Sequence, residues 1–497
     1  MRTYLLALDQ GTTSSRAVVL QSDGRVLSSA QQRFRQWYPE AGWVEHDPVE
    51  IWQSQRDAMQ EALGMAHLGL GDIKAIGIAN QRETTVLWDK VTGEPVARAI
   101  VWQCRRTAAL CQEMVARGLE PVIRERTGLV LDAYFSATKI QWLLDNVAGL
   151  RIRAERGEVC FGTVDSWLVY NLTGKRTHVT DVTNASRTLL FNIHTRQWDP
   201  ELLRIFNIPP DILPTVVPSA GYIGTTDASV VGDAVPIAGL AGDQAAALFG
   251  QGCIHPGMAK NTYGTGAFLL MHTGDQPVPP VPGLLTTLAC EVAGGKPYAL
   301  EGSIFMAGAV IDWLKESMGM IHSASESEQL ALSVSDTQDV YLVPAFVGLG
   351  SPYWDGFARG TIVGLTRGSG RAHVVRAALE SVAYQTRDVL DRMVQASGYP
   401  LAELRVDGGA SRNQFLMQFQ ADILGVPVLR SHNWETTALG AAYLAGVGVG
   451  IYSGPEHIFR QTEEFTRFDP QASKEEVNAR YRRWQKAVER SRGWALD

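Results

Sequence analysis

The sequence predicts an α/β chain made of two related halves. Three observations carry that expectation. Short aliphatic runs alternate with helical stretches along the whole chain. A Gly/Thr turn between two apolar runs occurs twice, as Leu8-Asp9-Gln10-Gly11-Thr12-Thr13 and as Thr262-Tyr263-Gly264-Thr265-Gly266. The 497 residues, 45% hydrophobic and 20% charged, suffice for two large domains or about three smaller ones, each with its own core. The halves are expected to meet near residue 250, giving domains 1–250 and 251–497.

Residues 4–9, 16–21 and 25–31 read as strands, joined by the turn 10–15 and by Ser22-Asp23-Gly24, a hairpin turn. Asp47-Pro48-Val49-Glu50 combines an N-cap, a first-turn proline and an N3 carboxylate, which opens a helix through about Ala66. That capping duty argues against a metal site at Glu45-His46-Asp47, whose adjacent side chains cannot all face one ion. Further strands are expected at 75–79, 84–88, 235–241, 268–272, 340–344 and 404–406, with helices at 245–249, 377–393 and 413–424. Pro-rich 276–283 reads as a surface loop. Residues 436–455 carry no charge over about the length of a spanning helix, yet Gly440, Gly446, Gly448 and Gly450 point to a buried helix and turn. A last helix follows Ser473, which with Glu476 forms a capping box. Its apolar stripe is Val477, Tyr481, Trp484 and Val488, and its interleaved charges make a solvated face.

A net charge of -7 argues against nucleic acid or an anionic membrane as partner, since both normally require a concentrated basic surface. The five cysteines are odd in number and form no C-x-x-C pair, so they are expected as reduced, mostly buried thiols. Residues 1–8 are too short an apolar stretch for a secretory leader, and a cytoplasmic location is expected.

The chain has no G-x-x-x-x-G-K-[ST], no G-x-G-x-x-G after a strand and no protein-kinase H-R-D or D-F-G. What it has is Asp9-Gln10-Gly11-Thr12-Thr13-Ser14-Ser15-Arg16 at a strand-turn-strand tip. Backbone N–H groups, hydroxyls and Arg16 there suit phosphate, and Asp9 suits magnesium held through water. The plainer alternative is a hairpin whose hydroxyls serve its own backbone. Arg405-Val406-Asp407-Gly408-Gly409-Ala410, running into a helix from about Asn413, is either a nucleotide-binding turn or a tight strand–helix connection. Asp243 is either an N-cap or a carboxylate at a strand's carboxyl end, where α/β sheets place their sites. Asn80-Gln81-Arg82-Glu83 is either a polyol-binding cluster or a surface ion pair.

Those segments, with Gly42–Pro48 (GWVEHDP), Asn80–Thr85 (NQRETT), Trp102–Arg106 (WQCRR), Ala241–Gly250 (AGDQAAALFG) and Lys260–Gly266 (KNTYGTG), resemble the glycerol-kinase family of FGGY sugar and polyol kinases. The resemblance runs from Tyr4 to about Arg490. It implies the actin, hexokinase and heat-shock ATPase superfamily: two ribonuclease-H-like domains flanking a cleft, the first binding glycerol and phosphate and the second the nucleotide. It implies Mg·ATP-dependent phosphorylation of glycerol to sn-glycerol 3-phosphate, by a homodimer or homotetramer. It places Thr12, Thr13, Ser14 and Arg16 on the phosphates with Asp9 near the metal. Thr265, Gly308, Gly409 and Asn413 complete the nucleotide site. Arg82, Glu83, Tyr134, Asp243 and Gln244 hold glycerol, Trp102 and Phe268 pack on its carbons, and Asp243 is the base. A kinase of another small polyol or ketose, and a nucleotide-dependent binding module without an acceptor, are the rival readings.

Two departures from the family pattern stand out. Asp312 replaces the usual Gln beside the nucleotide, an anion where an amide is common. Some bacterial members bind fructose 1,6-bisphosphate through a glycine-rich loop followed by Arg. Residues 228–234 have neither the glycine run nor the cation, so no such inhibition is expected.

Overall fold

In the computed structural model, residues 3–433, 435–462 and 465–496 are described. Met1 and Arg2, the start of the amino-terminal segment read above, lie outside the described residues. Two large sheets organise the chain. The first contains β1 (Tyr4–Gln10), β2 (Ser14–Gln21), β3 (Val26–Arg33), β4 (Ile73–Asn80), β5 (Ala220–Thr225) and β6 (Pro236–Gly242), in the order β5-β6-β4-β1-β2-β3. The second contains β7 (Ala259–Tyr263), β8 (Ala267–Gly274), β9 (Leu285–Leu288), β10 (Tyr298–Ile304), β11 (Leu404–Asp407), β12 (Val428–Ser431) and β13 (Phe465–Phe468), in the order β9-β10-β8-β7-β11-β12-β13.

The sheets repeat one pattern. β1 is antiparallel to β2 and parallel to β4, which is parallel to β6; β7 is antiparallel to β8 and parallel to β11, which is parallel to β12. The β1–β2 turn and the β7–β8 turn are therefore equivalent positions, and these are the two Gly/Thr turns whose likeness the sequence displays.

Parallel strands are covered on both faces. Helix α1 (Pro48–Met65) packs on β2 and β3, and α6 (Thr436–Gly448) packs on the opposite face, across β1, β4 and β6. The close approach of α6 rests on glycine: a Cβ at Gly77 would stand 1.9 Å from the Ala441 carbonyl oxygen. A Cβ at Gly440 would meet the Ala246 carbonyl oxygen of α2 (Asp243–Gly250) at 1.9 Å. This explains the charge-free stretch 436–455: its helix is buried against the first sheet and α2, although it lies late in the chain. Among the described residues no helix is long and apolar enough to cross a membrane.

The other helices used below are α3 (Gly308–Glu316), α4 (Arg371–Ser397), α5 (Gln414–Leu424) and α7 (Lys474–Ser491). Asp47 caps α1 through the Val49 N–H, but the Glu50 carboxylate accepts from the Arg35 N–H instead of closing a box. Ser473 caps α7, whereas Glu476 pairs with Arg480, so the predicted box is half made. Val477, Tyr481, Trp484 and Val488 are buried as expected. The strand expected at 84–88 begins only at Val86, because residues 81–84 are loop and Glu83 adopts φ +61°. Tyr341–Val343 pairs with Thr361–Val363 in a separate small sheet. All five cysteines are buried and none forms a disulfide with another.

Candidate active site

The register of the first sheet assembles one edge. Gln10 pairs with Asn80, and Asn80 pairs with Gly242, so β1, β4 and β6 end together. The Gly/Thr turn, the Gln81-Arg82-Glu83 loop and Asp243 therefore emerge at the carboxyl end of parallel strands, where α/β sheets bind ligands. Asp243 is the first residue of α2, whose N-cap is Gly242, so the capping alternative for Asp243 does not hold. Gly242 also makes room for Arg82: a Cβ there would stand 2.7 Å from its Cγ and Cδ.

Arg82 is the hub. Its Nε lies 3.2 Å from Asp243 Oδ1, and its two Nη atoms donate to Glu301 Oε2 at 2.6 Å and Oε1 at 2.9 Å. Arg187 donates from Nε to Glu83 Oε1 at 2.6 Å and from Nη2 to Glu301 Oε1 at 3.1 Å. Arg82, Glu83, Arg187 and Glu301 are all buried, which excludes the surface-ion-pair alternative for Arg82-Glu83. Burial raises the Glu83 carboxyl against the pull of the two arginines. At Glu301 burial also acts upward, but Arg187 and Arg82 together outweigh it and hold the carboxyl at about 2.

Trp102, Tyr134, Gln244 and Asp243 are half-buried around this hub. The Trp102 and Tyr134 rings meet edge to face at 5.5 Å, and Trp102 Nε1 donates to Thr12 Oγ1 at 3.0 Å, linking the aromatic wall to the Gly/Thr turn. Gln244 Oε1 accepts from the buried Lys260 Nζ. Burial lowers Lys260 to about 8, against the opposing pull of Asp407, Asp243 and Glu301. Phe268, on β8, is half-buried and pairs across strands with Thr262 and Ser303, on the face that carries Lys260 and Glu301.

At the turn, the Gly11 N–H donates to the Ser14 carbonyl at 2.9 Å, and Thr13 is exposed. Arg16 is ion-paired with Glu435 and donates to Gln31. Ser14 Oγ accepts from Gln31, so part of the turn's polar capacity serves its own surroundings. Burial raises Asp9 to about 7, Arg16 opposes the shift, and the Asp243 and Glu435 carboxylates add to it. That accumulation of negative charge fits a divalent cation. Mg²⁺ takes few protein carboxylates and keeps its waters, so Asp9 and Asp243 suit a water-mediated site, although no cluster of three metal-binding side chains occurs among the described residues.

A cavity of about 510 Å³ opens beside the β7–β8 turn. Thr265, Gly308, Gly409 and Asn413 all line it, with Asp312 and Ile311. Gly308 begins α3, and its N–H donates to the Gly264 carbonyl at 2.9 Å. Asn413 caps α5, its Oδ1 accepting from the Leu416 N–H, which leaves its amide nitrogen toward Ser327. Gly408 adopts φ +87°, and a Cβ there would strike the Tyr263 backbone at 2.4 Å, so the glycine pair sets the close packing of β11 on the turn.

Sequence reasoning assigned no role to Arg187, Glu301 or Lys260. The signal available for the last two is a single charge within a short strand, in Tyr298–Ile304 and Ala259–Tyr263. A lone charge in a central strand must find a partner on folding. Arg187 had no comparable signal, because its partners lie about a hundred residues away in both directions.

Comparison with known proteins agrees with this geometry. Residues 4–250 match the amino-terminal domain of the FGGY family of carbohydrate kinases, and residues 259–449 match its carboxyl-terminal domain. The chain is 58% identical to a glycerol kinase of Caldanaerobacter subterraneus over 497 residues, covering 100% of both chains. It is 58% identical to glycerol kinase 2 of Thermotoga maritima over 491 residues, covering 99% of both. Among solved structures, Plasmodium falciparum glycerol kinase with ADP superposes with a TM-score of 0.94 at 36% identity, covering 99% of this chain and 98% of that one. Gluconate kinase from Lactobacillus acidophilus shares the fold, with a TM-score of 0.87 at 21% identity over 99% of this chain and 97% of that one. With both family domains matched in order and full-length relatives at this identity, the chain belongs to the FGGY family of carbohydrate kinases, on its glycerol-kinase branch.

Proposed function

We propose that the chain transfers the γ-phosphoryl group of ATP to a terminal hydroxyl of glycerol, giving sn-glycerol 3-phosphate and ADP. The observation that carries the reading is the Arg82–Asp243 pair, 3.2 Å apart beside the Trp102–Tyr134 wall and at the same sheet edge as the Gly/Thr turn. A neutral triol is recognised by several fixed donors and acceptors against an apolar surface. Leaving one such group unpaired costs about 1–3 kcal/mol.

In this reading Arg82, Glu83, Tyr134 and Gln244 orient glycerol, and Trp102 and Phe268 cover its carbons. Asp243 Oδ2 accepts the proton of the attacking hydroxyl, while the Gln244 N–H donates to Oδ1 and Arg82 pairs with it at 3.2 Å. The oxygen–γ-phosphorus bond forms as the bond to the ADP oxygen breaks, and positioning with charge stabilisation carries most of the rate. Thr12, Thr13, Ser14 and Arg16 face the phosphates, and Thr265, Gly308, Gly409 and Asn413 hold the nucleotide. Magnesium, held through water by Asp9 and Asp243, supplies charge neutralisation on the phosphates when bound. The domain boundary near residue 250, a homodimeric or homotetrameric assembly and a cytoplasmic location complete the proposal. Five buried thiols without a disulfide among them support a reducing compartment.

The test is ADP release by the purified protein with Mg·ATP, without acceptor and with glycerol, dihydroxyacetone, erythritol, ribitol, xylulose or gluconate, with the product identified by mass. Strong stimulation by glycerol alone supports the reading. Stimulation only by another polyol or ketose overturns the pocket assignment and leaves the fold and ATP assignments intact.

A further inference from the structure

We propose that Glu301 is a positioning residue of the glycerol pocket: carried on the second sheet, it fixes the guanidinium fork of Arg82 on the first half and thereby keeps Arg82 paired with Asp243. The inference rests on the glycerol-kinase reading and extends it to Glu301 and Arg187, two residues outside the acceptor-binding set.

The geometry is over-determined. A guanidinium presents its N–H groups in one plane and in fixed directions. Both Nη atoms of Arg82 are engaged by the two oxygens of Glu301, which fixes the guanidinium plane with Nε 3.2 Å from Asp243 Oδ1. Glu301 is itself held from a second side by Arg187 Nη2 at 3.1 Å. Arg187 in turn holds Glu83 through Nε and lies over the Phe135 ring at 5.1 Å. Glu301 and Arg187 are both 0% exposed. Two arginines and two glutamates thus close a neutral cluster whose outward faces are the Arg82 Nε and the Tyr134 wall.

Stability alone does not account for this arrangement. A buried ion cluster is often no more stabilising than apolar side chains of the same volume, so its contribution lies in orientation. Arg82 and Arg187 belong to the first half of the chain, whereas Glu301 lies on β10 of the second sheet, beside Leu270 of β8 and in line with Lys260 of β7. The glycerol pocket therefore takes its shape only when β10 is in place against the first half. The second half does not merely hold nucleotide; it also sets the acceptor-binding groups.

Glu301→Gln and Arg187→Lys test this, assayed as the full chain by glycerol-dependent ADP release and by ADP titration. Wild type comes first: absence of glycerol stimulation there defeats the functional reading itself and says nothing against the cluster. Given stimulation, both variants are expected to lose about tenfold or more in kcat/KM for glycerol, chiefly through KM, as expected for misplacement of a positioning group by a fraction of an ångström. ADP affinity and KM for Mg·ATP should stay within about twofold, since the cavity at Gly308 and Gly409 is separate. Glycerol KM within about twofold of wild type in either folded variant overturns the proposal, as does a parallel loss of ADP and glycerol affinity, which a merely structural role would produce. If Glu301→Gln does not fold, Arg187→Lys, which keeps the charge and loses the fork, decides alone.

Discussion

Replacing Asp243 by Asn separates base from scaffold. The substitution keeps the side-chain shape and an Oδ1 that still accepts from the Gln244 N–H, now at 2.7 Å. It removes the charge facing Arg82. At 3.2 Å, two unit charges attract by about 5 kcal/mol at an effective dielectric near 20 and by about 1 kcal/mol in water. Asp243 has a side chain 31% exposed, so its pair with Arg82 falls between those limits. Arg82 nevertheless keeps both bonds to the fully buried Glu301, and its position should survive. Because desolvating the pair offsets most of that attraction, folding stability should change by only about 1 kcal/mol. Turnover should fall by about 100- to 10,000-fold, or about 3–5 kcal/mol of barrier, the general-base contribution.

The assay is kcat for glycerol-dependent ADP release at saturating substrates, with ADP affinity and thermal unfolding measured on the same preparation. ADP affinity should be nearly unchanged, because Asp243 is not among the residues that line the nucleotide cavity. Wild-type turnover in this variant would refute the base assignment. A fall in turnover accompanied by an equal loss of ADP binding would place Asp243 in nucleotide binding instead.

Four further outcomes follow from the same contacts. Gly308→Ala puts a Cβ 2.6 Å from the Gly264 carbonyl oxygen, and overpacking of about 1–3 kcal/mol should weaken ADP about 10- to 100-fold in a titration while leaving glycerol KM alone. Lys260→Met removes the donor that holds Gln244 Oε1, so glycerol KM should rise about tenfold in steady-state kinetics with a smaller change in kcat. Burial raises Asp388 to about 7 even though Tyr481 and Trp484 donate to it; its folded form thus binds a proton more tightly than the unfolded chain, and its contribution to stability falls as pH rises from the ordinary carboxylate range to about 7. Tyr481→Phe should therefore cost about 1 kcal/mol in urea unfolding at about pH 6 and about 2 kcal/mol at about pH 8.5, where the acceptor is charged. Fructose 1,6-bisphosphate should not inhibit: Ala228–Val231 is a single helical turn capped by Asp227, with Asp233 exposed beside it, and retained inhibition in the ADP-release assay would contradict that.

Much of the fold is legible locally. The Asp47-Pro48 start of α1, the Asn413 cap of α5 and the stripe of α7 are short-range signals, and each element forms where they point. The twice-used Gly/Thr turn is legible for the same reason, since β1–β2 and β7–β8 are local hairpins. Boundaries shift where a site intervenes. Asn80 ends β4, and the positive φ of Glu83 breaks the expected strand, because the loop bends to bring Glu83 to Arg187. The pairing partners were not legible: Arg82 meets Glu301 across 219 positions, and nothing within a window of ten residues marks that contact.

That distinction has a functional side. Residues expected to touch glycerol or nucleotide sit in Gly- and Thr-rich or polar loops, whose composition departs from that of a core, so chemistry can be read from them. Residues that aim those groups sit inside strands and helices, where a single charge is the only mark they leave. Lys260 and Glu301 stand on β7 and β10 of one sheet, with β8 between them, and reach Gln244 and Arg82, one residue on each side of Asp243's surroundings. The second sheet therefore holds the proposed base's neighbours from two directions. A kinase must keep its acceptor pocket poorly formed until the nucleotide-bearing half is seated, or water would take the phosphoryl group. Building most of the glycerol-binding groups on one half and two of their supports, Glu301 and Lys260, on the other meets that requirement with side chains alone.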